Sequence, residues 1–158
     1  MFQLEIQNEC STDIPEEQWL AKCASLAYEG EGDASAVLRV VERDEAQTLN
    51  RSYRGKDYAT NVLSFPSDFS DLPQEVLDGE DTSYLGDLVV CAAVVAEEAK
   101  QQHKALQQHW AHLVIHGLLH LQGYDHIDDD EALIMEKLEV SLLEQIGVPD
   151  PYGDADAN

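Results

Sequence analysis

The segment from His116 to His126, which reads HGLLHLQGYDH, restricts the fold of this chain more than any other feature. His116 and His120 are four residues apart, so on an α-helix both side chains lie on one face. Gly123 can adopt a left-handed conformation that ends the helix and turns the chain back. His126 follows where such a turn would bring it to the same point. The segment therefore predicts a helix and a turn on which three imidazoles converge.

Three imidazoles are typical of a catalytic zinc site, because the fourth tetrahedral position stays open for water. Zinc lowers the pKa of a bound water to about 7 and so supplies a nucleophile at neutral pH. The pattern predicts one Zn²⁺ ion held by His116, His120 and His126. Two histidines four residues apart are more often a surface or core pair, and it is the third one, beyond a glycine, that favours metal binding. His109 and His112 extend the stripe and are expected to pack behind the ligands.

The same spacing occurs in the metzincin metalloproteases. Those enzymes place a glutamate directly after the first histidine, where it activates the attacking water. Here that position is Gly117, which has no side chain. Met135 belongs to the apolar pattern of the last helix and is predicted to lie in the core, so it does not supply a Met-turn. The sequence keeps the metal-binding pattern and lacks the proteolytic base.

The remaining patterns predict strands in the first half of the chain and helices mainly in the second. Strand patterns lie at 2–6, 36–41, 61–65 and 85–91, and helical patterns at 15–28, 44–53, 92–102, 105–121 and 128–146. We expect an α+β fold, with one small mixed sheet of about four strands covered by about five helices and the zinc site on a helix and its following turn. The 158 residues predict one domain over 1–148 and an acidic, disordered tail over 149–158. Residues 67–83, with six acids and no base, predict a long loop.

The chain is strongly acidic, with 9 Lys and Arg against 32 Asp and Glu and a formal net charge of −23. Such a charge repels nucleic acid at long range. Five of the nine basic residues nevertheless lie between positions 39 and 56, namely Arg39, Arg43, Arg51, Arg54 and Lys56. That segment has a local charge of +2. Surface ion pairs are expected for Arg39 and Arg43, whereas Arg54, in the turn-like YRGKD, could bind a phosphate bidentately.

The three cysteines, Cys10, Cys23 and Cys91, have wide and unrelated spacings, which predicts neither a disulfide framework nor a thiolate metal site. A reduced compartment is therefore expected. The first residues show no signal-peptide pattern, and no apolar run approaches the roughly 20 residues that span a bilayer. We expect a cytoplasmic protein with no membrane association.

Taken together, these segments resemble the YbeY family of bacterial endoribonucleases. The resemblance rests on NRSYRGKD at 50–57, TNVLSFP at 60–66, LGD at 85–87 and the histidine motif, and it extends over residues 2 to 146. It implies a single-strand-specific, zinc-dependent endoribonuclease of 16S rRNA 3′-end maturation and ribosome quality control. It also implies zinc on His116, His120 and His126, a functional Arg54, and contacts with ribosomal RNA, small-subunit proteins and an assembly GTPase.

Two aspartates are candidates for a supporting or general-base role, since no glutamate follows His116. Asp125 is expected to orient a ligand histidine, and Asp87 to fix a turn or a strand end. Two alternatives stay open besides the endoribonuclease. One is a metzincin-like metallohydrolase or protease, and the other is a non-catalytic ribosome-assembly module with a structural zinc.

Overall fold

The computed structural model describes residues 2–30, 32–66, 84–124 and 128–151. Four strands lie within these ranges: β1 (Phe2–Asn8), β2 (Ala34–Val41), β3 (Val62–Pro66) and β4 (Tyr84–Cys91). They are accompanied by five helices: α1 (Glu17–Ala27), α2 (Arg43–Arg54), α3 (Ala92–Gln101), α4 (Leu106–Leu121) and α5 (Asp129–Glu144). The predicted α+β class is confirmed. The predicted loop at 67–83, Asp125, His126 and residues 152–158 lie outside the described residues, and the domain boundary at 148 stays a prediction.

The strands form one mixed sheet in the order β1-β2-β4-β3. β1, β2 and β4 are parallel, whereas β3 runs antiparallel to β4. A parallel pair needs a crossover connection, and α1 supplies the one between β1 and β2. β3 is an edge strand of the described sheet, so one of its sides is not covered by another described strand.

Helices cover both faces of the sheet. On one face α1, α4 and α5 form the main core with the strands, and its largest buried side chains include Trp110, Leu118 and Leu88. On the other face a smaller cluster joins α2 to the strands, and its buried members are Val41, Ala46, Leu63, Val89, Cys91 and Val94. The edge strand β3 therefore lies between α4 on one side and α2 on the other.

Helix α2 begins at Arg43, one residue before the helical pattern that the sequence predicts from position 44. Glu42 is the N-cap residue, and Asp44 lies in the first turn. An acid there still interacts favourably with the helix dipole. The helix ends at Arg54 because Gly55 takes a left-handed φ of 72°. Arg54 is thus fixed at the end of a regular helix.

The three cysteines are free, as the sequence predicts. In the described part of the chain no helix has the length and apolar character needed to cross a membrane.

Candidate active site

The predicted pair of histidines on α4 meets in space. Nε2 of His116 lies 3.1 Å from Nε2 of His120, with the two rings nearly perpendicular. The Nδ1 atoms point the other way: that of His120 lies 2.9 Å from the carbonyl oxygen of Tyr124, and that of His116 lies 2.7 Å from Oε2 of Glu139. A carbonyl can only accept, so His120 carries its proton on Nδ1 and leaves a lone pair on Nε2. Two such nitrogens facing each other suit a shared cation.

A buried acid that the sequence analysis did not single out completes this cluster. Glu139 on α5 is fully buried, and its carboxylate contacts Nε2 of His112 at 3.0 Å as well as Nδ1 of His116. Ligand atoms of His112, His116 and Glu139 lie within 4.8 Å of one another, so these residues could hold a metal ion. Burial lowers the pKa of His112, and the hydrogen bond to Glu139 opposes that shift.

The sequence did contain a signal for Glu139. The buried positions of α5 are Met135, Glu139, Leu142 and Leu143. A charged residue among apolar residues at helical spacing is expected only where a hydrogen-bond or ion-pair partner lies in the core. Met135 is buried as predicted. Glu139, one turn later, is the only charged residue among the buried positions of α5, and it contacts the histidines.

The turn after α4 is anchored to the end of α1. Gly123 has a φ of 104°, the positive value that the sequence predicts for the end of this helix. The Gln122 side chain donates to the carbonyl of Ala27 at 2.7 Å and accepts from the amide of Glu29 at 2.8 Å. Tyr124 donates its hydroxyl to Glu29. These bonds fix the start of the segment that leads to Asp125 and His126, which lie outside the described residues.

His109 packs behind the histidine stripe, as expected, and its hydrogen-bond partner is Glu98 instead of Glu139. Its Nε2 lies 2.9 Å from Oε1 of Glu98 on α3, and the Asn61 side chain donates to the same oxygen at 3.0 Å. Burial alone would raise the pKa of Glu98, but the hydrogen bonds from His109 and Asn61 outweigh it and lower the pKa. The network ties the residue before β3 to α3 and α4.

Asp87, one of the two aspartates predicted to support the site, lies apart from the described histidines, and its role stays a prediction. Neighbouring residues of a strand point to opposite faces of the sheet. Leu88 faces α4, so the carboxylate of Asp87 faces the other side. Burial raises its pKa, and its charged neighbours there are Arg39 and Glu5. The strand period of two residues thus excludes Asp87 from the described histidine cluster.

Gly117, where a metzincin has its glutamate, faces the sheet. A Cβ atom there would lie 2.7 Å from Cδ2 of Leu88, closer than carbon atoms approach in proteins. The glycine lets α4 pack tightly on β4. A larger side chain at 117 would collide with the core, so the position cannot supply a base to the histidines.

A cleft of about 890 Å³ brings the two sequence-predicted regions together. Tyr53 and Arg54 line it from α2, and His112, His116 and His120 line it from α4. Between them lies β3, whose five residues all contribute to the wall. The cleft therefore crosses the edge of the sheet, with a cation on one side and imidazoles on the other.

The basic segment is mostly neutralised by the chain's own acids. Arg39 pairs with Glu9 and Glu45, Arg43 with Glu97, and Arg51 with Asp57. Arg54 and Lys56 have no ion-pair partner among the residues that the structure describes, and of these two only Arg54 lines the cleft. Arg54 is thus the cation available to an anionic ligand in the cleft.

An α+β domain with converging imidazoles, a buried carboxylate and an arginine in one cleft defines a class of metal-binding enzymes that act on anionic substrates. The family model described as "Endoribonuclease YbeY" matches residues 5–147. The chain belongs to this family, which confirms the resemblance seen in the sequence and the expected class of metal-dependent endoribonuclease.

Individual relatives agree with the family match. The chain is 59% identical over 122 residues to the endoribonuclease YbeY of Hydrogenovibrio crunogenus, covering 77% of this chain and 75% of the relative. It is 51% identical over 155 residues to that of Pseudomonas putida strain F1, covering 98% and 95%. Among solved structures it is similar to TM1509 from Thermotoga maritima, with a TM-score of 0.55, 26% identity and coverage of 96% and 97%.

Proposed function

We propose that this chain is a zinc-dependent endoribonuclease that cleaves single-stranded RNA in the cytoplasm, in maturation of the 16S rRNA 3′ end and in ribosome quality control. The observation that carries the proposal is the shared cleft of Arg54, His116 and His120. Family membership supplies the class of reaction, and the cleft supplies groups that suit a phosphodiester.

The zinc ligands of this proposal are His116, His120 and His126. A tetrahedral zinc with Zn–N distances of about 2.0–2.1 Å holds two ligand nitrogens about 3.3 Å apart. The Nε2 atoms of His116 and His120 are 3.1 Å apart, which fits such a pair. His126 follows the anchored turn at Gln122 and Tyr124. When bound, the ion would supply Lewis acidity, and the nucleophile would be either a water on the ion or the 2′-hydroxyl of the RNA.

The protein's own contribution to the reaction is charge and position. Arg54, without an ion-pair partner in the described ranges, binds a non-bridging phosphate oxygen and neutralises the charge that grows there in the transition state. Gly55 ends α2 directly after Arg54 and so fixes the point from which this side chain reaches into the cleft. Asp125 keeps the predicted role of orienting a ligand histidine.

The proposed partners are ribosomal RNA, proteins of the small subunit and an assembly GTPase. The distribution of charge indicates that the chain alone binds RNA weakly and that a partner would have to contribute affinity. Only Arg54 and Lys56 of the basic segment lack an acid partner in the described residues, and the whole chain carries −23. Binding to free RNA is therefore weak, and a ribosomal partner supplies the missing affinity.

Metal content and substrate choice, measured on one preparation, test this function. We expect one zinc per chain and cleavage of a labelled single-stranded RNA, with no cleavage of the same sequence as duplex or DNA, nor of casein. Chelation should abolish cleavage and added zinc restore it. The His120→Ala protein, purified in parallel, should be inactive, which excludes a contaminating ribonuclease.

The alternatives predict different results in the same experiment. Casein cleavage would support the metzincin-like protease, although Gly117 leaves that enzyme without its base. Stoichiometric zinc with no RNA cleavage beyond that of His120→Ala would support the assembly module. Thermal unfolding with and without chelator shows whether the ion also stabilises the fold.

A further inference from the structure

Glu139 is a charged group in a fully buried position, and both of its described hydrogen bonds go to imidazoles. Burying a carboxylate is unfavourable unless hydrogen bonds and a positive charge compensate it. Packing alone therefore does not explain a charged residue at this buried position of α5. Its carboxylate lies at the Nδ1 side of the His116 ring, opposite the side that faces His120, and this position suggests a role in the site.

The geometry separates the two ends of the His116 ring. Nδ1 lies 2.7 Å from Oε2 of Glu139, whereas Nε2 lies 3.1 Å from Nε2 of His120. A carboxylate accepts hydrogen bonds, so it holds the proton on Nδ1 and leaves the Nε2 lone pair directed into the cleft. Carboxylates in this position orient metal-binding histidines and raise their basicity.

We propose that Glu139 is a positioning residue that fixes the tautomer of His116 and raises its affinity for the metal, without being a ligand itself. His112 gives the carboxylate its second hydrogen bond, at 3.0 Å, and so fixes the rotation of the Glu139 side chain. His116 and His120 would then hold the ion through their Nε2 atoms, and Glu139 would support the His116 ring from its Nδ1 side. This inference rests on the proposed zinc site and assigns it a supporting residue.

The tautomer can be measured without any substitution. Nitrogen chemical shifts of the histidine rings in the zinc-free wild-type protein distinguish Nδ1–H from Nε2–H. We expect His116 to be protonated on Nδ1, either alone or together with an Nε2 proton shared with His120. A ring of His116 protonated on Nε2 only would overturn the proposal, whether or not the protein cleaves RNA.

Zinc affinity provides the second test, by competition with a chromophoric chelator. Glu139→Gln keeps the size of the side chain but replaces one acceptor oxygen by a donor, and we expect it to weaken zinc binding about 10–100-fold. The matched control is Glu144→Gln, the same change at an exposed position of α5, which should bind zinc like the wild type. Unchanged zinc affinity in a folded Glu139→Gln protein would overturn the proposal.

The third measurement separates a positioning role from direct ligation. If Glu139 supports His116, His120→Ala should lose zinc binding, and His112→Ala should weaken it less than about tenfold. If instead His112, His116 and Glu139 hold the ion, the order of these two variants is reversed and the proposal is wrong. A wild type that binds zinc with these properties but cleaves no RNA would refute only the proposed function.

Discussion

At the scale of single residues, Tyr53 is an exposed aromatic residue that lines the cleft. Its side chain is 69% exposed and its ring contacts Phe65 edge-on, with centroids 5.1 Å apart. A base of single-stranded RNA can stack on such a ring, and one stacking contact contributes about 1–3 kcal/mol. We expect Tyr53→Ala to raise the RNA KM at least about fivefold and to leave zinc content unchanged.

Tyr58 offers a matched control for Tyr53. It is 54% exposed in the same segment but does not line the cleft. Tyr58→Ala should therefore leave the KM close to that of the wild type. Equal effects of the two substitutions, or none, would contradict a stacking role for Tyr53.

The residues of the site differ in how far the sequence could predict them. The spacing of His116 and His120 requires only helix geometry, so their convergence could be predicted. Glu139 could not be paired with them, because its contact joins α5 to α4 across the core. The face of β4 that Asp87 occupies could not be predicted either, because proximity of two motifs in the sequence does not tell which face of a strand a side chain occupies.

At the scale of elements, the packing of α4 on β4 depends on Gly117. Adding a methyl group there brings it to 2.7 Å from the buried Leu88 side chain. Overpacking costs about 1–3 kcal/mol, and the better helix propensity of alanine returns about 1 kcal/mol. We expect Gly117→Ala to lower the free energy of unfolding by about 1 kcal/mol in chemical denaturation.

A double-mutant cycle identifies the cause of that loss. In a Leu88→Ala background the clash is absent, so Gly117→Ala should there be neutral or stabilising. The same destabilisation in both backgrounds would show that the close contact of α4 with β4 is not the reason for the glycine.

The order and type of the elements could be predicted, since hydrophobic periods and glycine positions are local signals. Gly55 and Gly123 illustrate this, because each has the positive φ that ends its helix. Strand order could not be predicted in the same way. The position of β3 at the edge, which opens the cleft, results from contacts between distant segments.

At the scale of the whole molecule, the charge of −23 limits how the protein binds RNA. Within the basic segment, Arg54 and Lys56 are the cations without a described ion pair, so about two phosphate contacts are expected there. For a single strand this gives a slope of about −1.4 for log affinity against log salt, or a roughly sevenfold loss between 50 and 200 mM. Fluorescence anisotropy with a short RNA measures it.

Other slopes would contradict this view of the surface. A slope of about −4 or steeper would require an extended basic surface. Binding that strengthens with salt would mean that repulsion by the acidic body outweighs the contacts at Arg54 and Lys56. The sequence predicted long-range repulsion of nucleic acid and a basic segment of five residues, and the ion pairs of Arg39, Arg43 and Arg51 reduce the expected number of phosphate contacts in that segment to two.

The most direct test of the central claim is single-turnover cleavage of a single-stranded RNA by zinc-loaded wild type, Arg54→Ala and Lys56→Ala. Both substitutions remove an exposed cation without a described ion pair, but only Arg54 lines the cleft with His116 and His120. We predict a loss of about 10²–10³-fold for Arg54→Ala and of less than about tenfold for Lys56→Ala, with equal zinc content. Cleavage by Arg54→Ala at the rate of Lys56→Ala would contradict the assignment of this cleft as the active site.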